Sequence, residues 1–81
     1  MRVRMFAALR EASGCSEVHM PGADLPVLLD ELRQRFGEPF TSRLSVSTVL
    51  IDGNAVPPDK RLEVPDGAEV ALLPPVSGGG R

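Results

Sequence analysis

Tryptophan and tyrosine are missing altogether, and three phenylalanines are the whole aromatic complement of 81 residues. Without stacking platforms, single-stranded nucleic-acid recognition of the usual kind is not expected. A net charge of −2 also argues against a phosphate-binding surface. The single cysteine, Cys15, excludes an internal disulfide and any cysteine-built zinc site, and it fits a reducing compartment. It lies in Ser13-Gly14-Cys15-Ser16 with no basic cluster to activate it, so it reads as a small packing residue. His19, the only histidine, leaves no ready catalytic triad or multi-histidine site, and no metal ligation is expected. No apolar run approaches the about 20 residues that a membrane-spanning helix needs. Arg2 and Arg4 are followed by only Met5-Phe6-Ala7-Ala8-Leu9, too little for a signal peptide. The chain is expected to be soluble and cytoplasmic, with neither nucleic acid nor membrane among its partners.

What is present belongs to one small folded domain, 42% hydrophobic and 25% charged. Val3, Met5 and Ala7 alternate with Arg2, Arg4 and Phe6, which predicts a first strand. Ser13-Gly14 marks a turn, and Glu17 to Met20 reads as a second strand ended by Pro21-Gly22, after a loop from Arg10 to Cys15. The period then changes. Leu25, Leu28, Leu29, Leu32 and Phe36 form one stripe of a helix, with Asp24 placed to cap it, Pro26 in its first turn and Gly37 just beyond its end. Glu38-Pro39 opens a loop. Thr48 to Ile51 and Ala55-Val56 flank Asp52-Gly53-Asn54, a strong hairpin signal. A short Leu62–Val64 segment and the turn Pro65-Asp66-Gly67 lead into a last strand, Glu69 to Leu73.

The most informative feature comes after that strand: Pro74-Pro75-Val76-Ser77-Gly78-Gly79-Gly80-Arg81. Two prolines stop a ladder, and three glycines bury nothing while losing the most backbone freedom on ordering. No core needs such a tail, whereas an end that enters a narrow cleft of another protein does. The chemistry is then expected at the chain's own C-terminal carboxylate, carried out by another protein's side chains. Residues 1–75 are read as the domain and 76–81 as a flexible reactive tail.

The element order is ββαβ(β)β, an α+β arrangement with one main helix covering one face of a mixed four- to five-stranded sheet. With the first and last strands as central neighbours, Val3, Met5, Val70 and Leu72 would meet Leu28, Leu29 and Leu32, with Met20 also in the core. That is a β-grasp, the arrangement of ubiquitin. Phe6 and Leu73 would be left on the solvent side, where two large apolar residues near the tail point to a binding patch.

Three stretches carry a family resemblance: Phe6-Ala7-Ala8-Leu9-Arg10-Glu11, Asp52-Gly53-Asn54, and Asp66 through Gly79. In them the chain resembles the MoaD/ThiS sulfur carriers, and within these the small subunit of molybdopterin synthase. The resemblance implies that an E1-like adenylyltransferase activates the C-terminal glycine with ATP and Mg²⁺, the carrier itself binding no cofactor and being no enzyme alone. A sulfur donor would convert the adenylate to a thiocarboxylate, and a large subunit would take the tail and pass its sulfur to a pterin precursor. The family's reactive glycine falls at Gly79, threaded with Gly78, while Phe6, Leu73, Pro74, Pro75 and Val76 would contact the partner. Gly80 and Arg81 depart from the family ending. Removal by a processing peptidase, an added ending and an inactive tail are the readings this leaves open. Carriers serving cysteine, thiamine or thio-tRNA synthesis share the same tail, as does a ubiquitin-like modifier joined to lysines through Gly79. A plain adaptor domain would have no need of the glycines.

Overall fold

The computed structural model describes residues 1–75. Its main sheet has five strands: β1 (Arg2–Met5), β2 (Glu17–His19), β4 (Thr48–Ile51), β5 (Asn54–Val56) and β7 (Glu69–Leu73), in the order β2-β1-β7-β4-β5. β1 and β7 run parallel at the centre, and every other pairing is antiparallel. A second, two-stranded sheet joins β3 (Ala23–Asp24) to β6 (Glu63–Val64). The main helix is α2 (Leu25–Phe36), preceded by α1 (Ala7–Ser13) and followed by α3 (Phe40–Leu44). This is the β-grasp arrangement, and the central pairing of first and last strands is the one expected.

The alternation of each strand decides the layers. Val3, Met5, Val49, Val70 and Leu72 are buried on one face, where Leu25, Leu28, Leu29 and Leu32 of α2 cover them. Met20 is in this core too. Truncating a buried leucine here to alanine should cost about 2–5 kcal/mol.

Three details of the sequence reading are corrected. The stretch from Ala7 is not strand followed by loop. Ala7 takes φ +52°, and the chain turns out of β1 directly into α1. An alanine in the left-handed region costs about 1–2 kcal/mol. The turn persists because Ala7-Ala8-Leu9-Arg10-Glu11-Ala12 is a run of strong helix formers that buries Leu9. Gly14, φ +78°, ends the helix by donating its N–H to the Arg10 carbonyl at 3.0 Å. The loop after Glu38-Pro39 contains α3, whose Phe40 and Leu44 lie one turn apart and are both buried. The Phe40 ring packs 5.0 Å from that of Phe36. Asp24 does stand at the head of α2, but its side chain makes no capping bond. The Leu25 N–H instead donates to the Leu62 carbonyl at 2.8 Å, so the residue just before β6 satisfies one donor of the first turn.

The Asp52-Gly53 hairpin forms as read, with φ +49° and +86° at its two central residues, as a primed turn requires. It is also tied to the start of the tail-bearing strand. The Asp52 N–H donates to the Glu69 carbonyl at 2.8 Å, and the Glu69 N–H donates to Asp52 Oδ1 at 3.0 Å.

Candidate functional site

The strands that bury Val70 and Leu72 necessarily turn Glu69, Ala71 and Leu73 to the other face. Register extends this face across the sheet. Arg2 lies beside Glu69 and Arg4 beside Ala71, while on the opposite side Leu50 pairs with Ala71 and Thr48 with Leu73. Leu50 also pairs with Ala55 of β5. No helix among the described residues covers this face. Its β7–β4–β5 half presents Leu73, Leu50, Ala71 and Ala55, and this strip runs to the point where the tail leaves the fold.

The other half is charged. Arg2 Nη2 and Arg4 Nη1 each lie 3.3 Å from Glu69 Oε2. Arg2 Nε is 3.9 Å from Glu17 Oε1, and His19 Nε2 is 2.7 Å from Glu17 Oε2. The Arg4 guanidinium, followed by that of Arg2, holds the Glu69 carboxyl below its ordinary value by hydrogen bonding to the ionised form.

Phe6 sits where strand becomes helix. Its N–H donates to the Leu72 carbonyl at 3.3 Å, and its own carbonyl accepts from Leu9 N–H at 3.1 Å. The ring is half-buried, with the Arg4 guanidinium carbon 5.4 Å from its centroid. Leu73 is half-buried, and Pro74 and Pro75 are exposed. Phe6, Pro74 and Pro75 share a groove of about 150 Å³ between α1 and the tail root, which Arg43 and Val46 also line. Leu73 is the last residue of β7 and pairs across to Thr48 on the open face. Val76, Gly78 and Gly79 lie outside the described residues.

Sequence reasoning missed Leu50, Ala71 and Ala55. The hairpin signal at Asp52-Gly53 fixes their register to one another, so counting back from it would have found Leu50 and Ala55. It also missed the groove, because α1 and α3, which form it, were read as strand end and loop. The arrangement offers an apolar strip and a groove on either side of one exit point. Both leave apolar surface that a second surface could bury. No helix among the described residues is long and apolar enough to cross a membrane.

Comparison with known proteins agrees with this geometry. The ThiS family model matches residues 3–79. No curated protein sequence is a significant match. Among solved structures, a Pyrococcus furiosus protein assigned as subunit 1 of a molybdopterin converting factor is 28% identical, with a TM-score of 0.73 over 93% of this chain and 95% of that one. SAMP1 of Haloferax volcanii is 28% identical, with a TM-score of 0.71 and 98% of both chains covered. A Helicobacter pylori complex of subunits 1 and 2 of molybdopterin-converting factor contains a chain 26% identical, with a TM-score of 0.67 and 96% of both chains covered.

Proposed function

This chain belongs to the ThiS family, and on that premise we propose that it carries sulfur as a thiocarboxylate on Gly79, for delivery to a molybdopterin precursor. Family membership and the likeness to both converting-factor subunits and archaeal modifiers make it a sulfur carrier or a ubiquitin-like modifier. The observation that carries the finer reading is where the family match stops. It runs through the whole fold and the tail to residue 79, the second glycine of Pro74-Pro75-Val76-Ser77-Gly78-Gly79.

The proposed chemistry uses few groups of this chain. The Gly79 carboxylate, freed by a peptidase that removes Gly80 and Arg81, attacks the α-phosphate of ATP held with Mg²⁺ by an E1-like adenylyltransferase. Pyrophosphate leaves, and a sulfur donor then displaces AMP to give the thiocarboxylate. Six residues from Pro74 to Gly79 extend about 20 Å, enough to thread a channel. Gly78 lets the backbone pass without a side chain. The apolar strip around Leu73, with Phe6, Pro74, Pro75 and Val76, supplies affinity and holds the reacting end in line. The Helicobacter relative was solved with its subunit 2, which supports a large acceptor subunit as the second partner.

The intact mass of the chain isolated from its own cells tests this. A species ending at Gly79 with one oxygen replaced by sulfur is expected. A chain still ending in Arg81, free of sulfur when activating enzyme and ATP are supplied, would overturn the proposal. The modifier reading is favoured by the SAMP1 likeness. It predicts instead isopeptide adducts from Gly79 to lysines of other proteins.

A further inference from the structure

The groove beside the tail root differs from the open strip in one respect: a cationic residue, Arg43, is among those that line it. Its walls are the first turn of α1, Val46 in the connection to β4, and the Pro74-Pro75 pair, with Arg43 of α3 at the edge. Arg2 and Arg4 share the Glu69 carboxylate, whereas no carboxylate among the described residues lies within ion-pair distance of Arg43. Val46 is 58% exposed, one of two large apolar side chains so open among the described residues. The wall opposite begins at Ala7, in the left-handed region at φ +52°. Strained non-glycine residues of this kind gather at binding and switch positions.

A protein surface that sealed this groove would strip water from the Arg43 guanidinium. Burying an unpaired cation is unfavourable, so the surface must bring an anion with it. The apolar walls beside it require a side chain without charge. We propose that the groove receives an apolar residue adjacent to an aspartate or glutamate on the enzyme that adenylates the tail. The apolar side chain sits against Val46, Ala8 and Pro75, and the carboxylate pairs with Arg43. This rests on the carrier reading and deepens it, because the partner would hold the tail root from both sides, by the Leu73 strip and by the groove. Arg43 then selects for an acidic contact next to the channel and takes no part in the chemistry.

The test uses the chain ending at Gly79, its described fold of residues 1–75 untouched, with the adenylating enzyme of the same cells. Calorimetric affinity and ATP–pyrophosphate exchange are measured for the unsubstituted chain, Arg43→Glu, Arg43→Lys and Val46→Asp, each checked for an unchanged melt. Arg43→Glu is expected to raise Kd and KM about tenfold with kcat unchanged, the loss shrinking as salt rises. Arg43→Lys should keep most of the affinity, and Val46→Asp should lose about as much as the charge reversal. Equal Kd and KM for all four chains would overturn the groove proposal while leaving the carrier reading intact. Binding without exchange would overturn the carrier reading, and the Kd ratios would still decide the groove. Neither binding nor exchange would overturn both. A dimer of the unsubstituted chain, lost on Arg43→Glu in sedimentation, would assign the groove to a second copy and overturn the enzyme as its occupant.

Discussion

The two halves of the uncovered sheet face share a pleat but not a physical character. On the β2–β1 side, Arg2, Arg4, Glu17 and Glu69 answer one another's charges within the molecule, and His19 Nε2 lies against the Glu17 carboxylate. On the β7–β4 side, Leu50, Ala71 and Leu73 are left half-exposed, with no other described residue covering them. The charged half needs no partner, since its groups are already paired and solvated. The apolar half gains only when another surface displaces its water, at about 25 cal/mol per Å² removed. Affinity should therefore be concentrated in the half from which the tail departs, with the charged half acting as a solvated border.

The largest break with this picture would come from removing residues 78–81. Adenylation is expected to vanish while the melting temperature stays put, because the described core ends before that point. A fall in melting temperature would mean that the tail is part of the fold. Next, Leu50→Asp together with Leu73→Asp should weaken partner binding on the order of thirtyfold or more, as loss of a central apolar contact does. Stability of the pair should move by no more than about 0.5 kcal/mol per site, the usual range for surface changes. An unchanged Kd would dissolve the distinction between the halves. Arg2→Ala on the charged side should change Kd by less than about threefold, in keeping with exposed ion pairs.

The smallest effect concerns pH. Because the folded state holds the Glu69 carboxyl below its ordinary value, its contribution to stability is complete above the usual carboxylate range. It is lost as pH falls through the lowered folded value. Glu69→Gln should flatten that part of an acid unfolding curve, its small loss of stability at neutral pH disappearing as pH falls. A Glu69→Gln curve that overlays the parent's throughout would show that the pairing contributes nothing.

Much of the fold was legible because its signals are periodic and long. Leu25, Leu28, Leu29 and Leu32 could only be one helical stripe, and Asp52-Gly53 between apolar runs could only be a turn. The first and last strands were legible as central neighbours because both bury alternate residues completely. α1 was not, since β1 and α1 meet without a loop and Phe6-Ala7 continues the alternation of Val3 and Met5 before φ changes sign. α3 was hidden by its length: two buried residues one turn apart make no statistical period. The apolar site was half legible. Phe6, Leu73 and the prolines stand out in the sequence by their nearness to the tail, but Leu50 and Ala55 join them only through strand register, and Arg43 and Val46 only through α3.

One feature of the topology bears on mechanics. β7 carries the tail and is hydrogen-bonded along its length to β1 on one side and β4 on the other. A pull on the tail along the strand would load both ladders in shear, so that their bonds share the force and would have to fail together. An edge strand pulled outward would open one bond at a time, like a zipper. A load applied at the end of β7 would thus be borne by two ladders at once while the body behind it stays folded, a tether anchored at the middle of the sheet.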